Sequence, residues 1–188
     1  MENGRTPFST IYDSFLTRVT SDMYMEMSEI DVIHELQSLL LTAIHRFEFP
    51  KFDIYDYEEG YYDDLGVYKG VESDYQESPA ICWQGGFFNA KLTAEEINIL
   101  SLSMVIEWFT QQLAITENTQ MKYSGADFKF TSQANHMAKL KGMIDEYTKQ
   151  CFHAQRVYCR RTRTEDGEIR STMNLIMTTP IYGLGIEE

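Results

Sequence analysis

The chain has 188 residues, 43% of them apolar, and a formal charge of −13. That length suits one domain with a real core and falls short of two ordinary domains, and the apolar share excludes a disordered chain. So acidic a chain does not grip nucleic acid through a general basic surface; the balance suits solubility, repulsion of DNA or a basic protein partner.

Thr6 followed by Pro7 has the pattern of an N-cap with proline at N1. Phe8, Ile11, Tyr12, Phe15, Leu16 and Val19 follow at amphipathic spacing, which predicts a first helix over about 7–19. The linker TSDMYMEM then alternates Met23, Met25 and Met27 and reads as extended. Ser28 with Asp31 resembles a weak capping box. Ile30, Ile33, Leu36, Leu40, Ile44 and Phe47 run down one face of a second helix that ends before Pro50.

From Lys51 to Gly86 helical spacing disappears and Tyr, Asp and Gly punctuate the chain. Strands are predicted over 52–57, 80–83 and 87–90, as a small sheet or hairpin. Between Lys51 and Pro79 nine acids, among them Asp53, Asp56, Glu58, Glu59, Asp63 and Asp64, face two bases, a balance of −7.

The stretch 92–113, LTAEEINILSLSMVIEWFTQQL, is the centre of the chain. Thr93 and Glu96 form a capping box, and Leu92 and Ile97 take the positions of a hydrophobic staple. Ile97, Leu100, Met104 and Trp108 lie on one side of this helix; Ile99, Leu102, Ile106, Phe109 and Leu113 lie on others. A helix apolar nearly all round must be covered nearly all round, by several helices of its own chain or by other subunits. Residues 114–131 read as a connector with a short helix near 117–122, broken at Ser124-Gly125. Ser132 then caps a fourth helix running to about Arg161. Met137, Leu140, Ile144, Tyr147, Cys151, Ala154 and Tyr158 make a heptad seam along it. Seven bases on this helix or at its end, Arg156, Arg160 and Arg161 among them, face two acids, leaving +5 in an acidic background; an acidic neighbouring subunit is the expected partner of this cluster, ahead of DNA phosphate. Glu165-Asp166-Gly167 is a predicted turn and 169–177 a predicted strand. The last stretch, TTPIYGLGIEE, has no helical pattern but keeps Ile181, Tyr182, Leu184 and Ile186, as a frayed end or an extended strip laid on another surface does. The expected architecture is mainly α: a bundle of about four helices over 1–164, interrupted by an irregular or β insertion at 51–86, with an extended tail at 165–188.

Site chemistry is sparse. Three cysteines without C-x-x-C spacing argue against a disulfide framework or a zinc site. Cys151 and Cys159, about 12 Å apart along a helix, are too distant to bridge, which fits a reducing cytoplasm. His34, His45, His136 and His153 show no H-E-x-x-H or comparable spacing. Asp56, Glu58, Asp63 and Asp64 could offer oxygen to a hard cation, but Gly60 falls where an EF-hand needs a ligand, so a solvated acidic loop is the plainer reading. Glu107 beside Trp108 is a lone carboxylate, expected to meet an exposed edge or a salt bridge. Gly85-Gly86 is too short for a phosphate loop. No nucleophile–base arrangement is legible, so no enzyme and no cofactor are expected. The N-terminus lacks a basic flank and apolar run, so no signal peptide is expected, and no apolar stretch reaches the length of a membrane span.

The order of a proline-capped first helix, a second helix, an irregular insertion and then EEINILSLSMVIEWFTQQLAITENTQMKYSGADFKFTSQANHMAKLKGMIDEYTKQC resembles the head–tail adaptor (connector, or neck) proteins of tailed bacteriophages. The resemblance covers about 6–158. It implies a structural protein of the virion, made in the host cytoplasm, whose copies form a ring, usually of twelve, below the portal. Such a ring continues the DNA channel, lets DNA pass without specific binding, and seats the next tail or head-closure protein. It also implies that the C-terminal extension docks on the portal or a neighbour. Here that extension carries Ile169, Met173, Leu175, Ile181, Tyr182, Leu184 and Ile186. The acidic insertion is longer than the simplest members carry. The rival reading is an acidic DNA mimic or regulatory module that binds a basic protein; the +5 of the fourth helix counts against it.

Overall fold

A computed structural model describes residues 4–62, 68–69, 85–122, 130–163 and 169–171. It is mainly helical, with a small three-stranded sheet at one side. The elements in chain order are β1 (Thr6–Pro7), α1 (Phe8–Leu16), α2 (Met23–Glu26), α3 (Glu29–Ile44), β2 (Tyr57–Glu59), β3 (Tyr61–Tyr62), β4 (Tyr68–Lys69), β5 (Gly86–Phe88), α4 (Ala94–Lys122), α5 (Phe130–Arg160), β6 (Arg161–Arg163) and β7 (Ile169–Ser171). None of the described helices is long and apolar enough to cross a membrane.

α4 is the axis. Its start is the predicted capping box: the Glu96 N–H donates to Thr93 Oγ1 at 3.3 Å, and the Thr93 N–H donates back to Glu96 Oε2 at 2.7 Å. Leu92 is buried and Ile97 packs against the core, as the staple requires. α1, α3 and α5 all pack on α4, so Ile99, Leu100, Leu102, Met104, Val105 and Ile106 are buried within one chain. Of the two ways to cover this helix, the fold uses its own neighbours. Ser101 and Ser103, fully buried on that helix, return their hydroxyls to Asn98 and Ile99 carbonyls at 3.0 Å each. This satisfies a polar group locally while keeping the surface small enough for close helix approach.

α1 buries Phe8, Ile11, Tyr12 and Phe15, and each such aliphatic or aromatic side chain contributes about 1.5–3 kcal/mol on burial. The helix is shorter than expected and Thr6 is not its cap. Thr6 and Pro7 instead pair antiparallel with Phe88 and Phe87, and the Thr6 hydroxyl accepts the Leu92 N–H at 2.8 Å. The sheet order is β1-β5-β2. Gly86, at φ +138°, sits where a Cβ would collide with the Glu58 carbonyl oxygen, so glycine is required at this pairing. That structural role explains the Gly85-Gly86 pair.

The Met-rich linker is not extended. Met23–Glu26 makes one helical turn, closed by the Met25 N–H to the Asp22 carbonyl at 2.9 Å, which brings Tyr24 edge-on to Phe15 at 6.4 Å. Ser28 caps α3 as expected, accepting the Asp31 N–H. The predicted face of α3 is buried except at Ile30. The expected strand over 52–57 starts only at Tyr57. Asp53 accepts the Tyr55 N–H at 3.0 Å, an Asx-turn that bends the chain before it can pair. The strand expected at 80–83 and the break at 124–125 lie outside the described residues.

α4 continues through the first part of the predicted connector to Lys122, and α5 starts at Phe130, before the expected Ser132 cap. The predicted seam is real: Leu140, Cys151 and Tyr158 are buried, and Met137, Ile144, Tyr147 and Ala154 are half-buried. α5 runs antiparallel to α4, with the Phe109 and Tyr147 rings stacked at 5.6 Å and Lys141 paired with Glu117 at 3.4 Å. After α5, Arg161–Arg163 pairs antiparallel with Ile169–Ser171, so a hairpin crosses the expected boundary between 164 and 165. Most of the predicted tail lies outside the described residues.

Candidate functional site

The features that could serve a partner gather at the C-terminal end of α5. Two side chains hold this end in place. Gln155, buried, accepts the Glu48 N–H at 3.2 Å and donates to the Arg46 carbonyl at 3.0 Å. Tyr158, one turn on, donates its hydroxyl to Glu96 Oε1 and accepts the Lys51 N–H at 2.9 Å. The segment after α3 is thereby laid along the last turns of α5, and the end of α5 is fastened to the start of α4.

Glu96 is fully buried. A carboxylate out of water is tolerated only when its oxygens are occupied. Here Tyr158 fills one, while the Thr93 N–H and hydroxyl fill the other at 2.7 and 2.8 Å. Burial, then the hydrogen bond to Glu96, holds the Tyr158 phenol above its ordinary 10.0. Lys51 adds a cation over the Tyr158 ring, 4.4 Å from its centroid, and donates its ammonium to the Tyr158 and Arg161 carbonyls. Lys51 thus meets the carbonyl-rich end of the helix, where positive charge is favoured.

The predicted basic residues separate by role. Arg161 is paired with Glu95 at the start of α4 and belongs to the fold as much as to the surface. Arg156 and Arg160 are exposed on α5. Also exposed are Phe152 on α5, four residues before Arg156, and Phe49, Phe52 and Tyr55 on the segment after α3. Aromatic residues and arginine together are the composition favoured at protein–protein contacts. A groove of about 390 Å³ opens alongside, lined by Ala94, Glu95, Asn98, Ile99, His153, Ala154, Val157 and Tyr158. The exposed aromatics lacked a periodic signal in the sequence; their cue was three large rings within seven residues of an otherwise irregular stretch.

Three of the described acids of the insertion have local partners. Asp56 accepts from the Asn89 side chain at 2.8 Å, Glu58 stands 4.0 Å from Arg5, and Asp53 closes its turn. Glu59 lines an open groove of about 570 Å³ against α3, together with His34 and His45. No three His, Cys, Asp or Glu side chains among the described residues come together as a metal site. Asp63 and Asp64 lie outside the described residues, as do Met173, Leu175, Ile181, Tyr182, Leu184 and Ile186. The backbone of Ile169 is placed in β7. Glu107, the lone carboxylate, has the salt bridge expected of it, with Arg46. Cys151 is buried against Ser103 and Cys159 is exposed, and both are free thiols.

Comparison of the chain with protein families, with curated proteins and with solved structures finds no match.

Proposed function

We propose that this chain is a structural head–tail adaptor of a tailed bacteriophage virion. It assembles as a ring, of twelve copies in the pattern of that class, between the portal and the next tail or head-closure protein. DNA passes through the ring without specific binding. The observation that carries this reading is the segregation of charge: in a chain of −13, seven bases against two acids fall on one long helix or just past its end, and exposed aromatic side chains lie on that helix at Phe152 and on the segment after α3. Such a surface suits an acidic protein neighbour, and an acidic remainder suits a channel that repels DNA. The apolar α4 lends no support, because the chain covers it itself.

Light scattering on the eluting protein, alone and with a portal ring, tests the proposal. A ring, or assembly on the portal, is the expected result. A monomer that ignores the portal but forms a tight complex with a basic nuclease would favour the DNA mimic instead. Within the adaptor reading, replacing the acids between Asp53 and Glu77 with Asn and Gln slows genome ejection if that loop faces the channel; unchanged ejection places it on the outside.

A further inference from the structure

Two exposed patches are opposite in charge, and each has an apolar side chain at its centre. On the outer face of α5, Lys149, Phe152 and Arg156 follow at spacings of three and four, so they form one stripe. Phe152 is 48% exposed at its middle. On the turn formed by α2, Met25 is 86% exposed and stands between Asp22 and Glu26, both exposed as well. Among the described residues none of these four charged side chains enters an ion pair. α1, α3 and α5 each pack on α4, and each patch keeps its exposure within one chain.

We infer that the Met25 patch of one copy seats on the Phe152 stripe of the next, a head-to-tail contact between copies of this chain. This rests on the ring-forming reading and names the surfaces that make the ring. The apolar centres match, since a methionine thioether packs well on an aromatic ring. The rims are opposite in net sign, two carboxylates facing a lysine and an arginine, with Asp145, one turn before Lys149, the nearest acid along the stripe. Because the two patches differ, the contact repeats from copy to copy and closes a ring if the rotation allows, rather than stopping at a dimer.

Two charge-reversed chains test it: Asp22→Lys with Glu26→Lys, and Lys149→Glu with Arg156→Glu. All four positions are exposed, and unchanged thermal melts confirm that each variant folds. Each variant alone should lose self-association, measured by light scattering with and without portal, by about tenfold or more in apparent Kd, because like charges then meet. Mixing the two should restore it, since each copy then finds opposite charge on both sides. Wild-type-like assembly by each variant alone overturns the contact while leaving the ring intact. Loss of portal binding with unchanged self-association reassigns the patch to the portal and also overturns it. A wild-type chain that never self-associates overturns the ring reading itself.

Discussion

The two halves of α4 live in different environments. From Glu96 to Phe109 the helix is enclosed, with Leu100, Met104 and Val105 fully buried. From Thr110 to Thr119 every residue is half-buried or exposed. The first half is held by α1, α3 and α5 together; Ser14 on α1 bonds Ser101 at 3.0 Å and Arg18 bonds Asn98 at 2.6 Å. In the second half Leu113 still packs on the core, and the described polar interactions are one ion pair to α5 and threonine hydroxyls returned to carbonyls one turn back. A single helix thus owes its existence to tertiary burial at one end and to a two-helix seam at the other.

Truncating the enclosed half should have the largest effect. Leu100→Ala is expected to cost about 2–5 kcal/mol, since the site is walled on several sides and cannot collapse. The same truncation at half-buried Leu113 should cost about 1 kcal/mol. Equal costs in denaturant titrations would mean that the outer half is as well covered as the inner. Tyr158→Phe should cost about 1–3 kcal/mol, because it strips a donor from a buried carboxylate.

The same tyrosine makes an alkaline test. Its phenol is held above 10.0 in the fold, so the folded state prefers the neutral form. That stabilisation is complete below about pH 10 and drains away as pH rises toward the folded value. Unfolding midpoints followed from about pH 9 to about pH 12 should fall less steeply in Tyr158→Phe than in the wild type. Tyr24, raised by burial and Glu35, and Tyr57, raised by burial and Glu59, maintain the remaining slope. The smallest effect belongs to Lys141→Ala. Its pair with Glu117 is exposed on both sides, and the loss should stay within about 0.5 kcal/mol, with amide exchange speeding up in 113–122 if the pair matters at all.

What the sequence made legible was local or periodic. The Thr93–Glu96 box and the α5 seam depend on spacings of three and four, which a linear chain displays directly. The Ser28 cap is legible for the same reason; Glu107, a lone carboxylate in an apolar helix, implies an exposed edge or a salt bridge, and its partner Arg46, sixty-one residues away, is not legible. Pairings between distant segments were hidden. Thr6 looks like a helix cap until Phe88, far along the chain, offers it a strand. Asp53 turns a seemingly alternating strand by capturing a backbone N–H, a competition that alternation alone does not register. In the site, the arginines were visible as a charge cluster. That Arg161 would be paired internally with Glu95 was not visible, because Glu95 looked like an ordinary acid of a helix start.

Glu96 serves two masters: it closes the first turn of α4 and it receives the hydroxyl of Tyr158 from the last turns of α5. Fraying at either terminus therefore takes a partner from the same buried carboxylate, one oxygen or the other, which couples the two ends. Residues 96 and 158 form a clasp whose release is a single event, and the surface carried on that end of α5 is presented rigidly to whatever binds it.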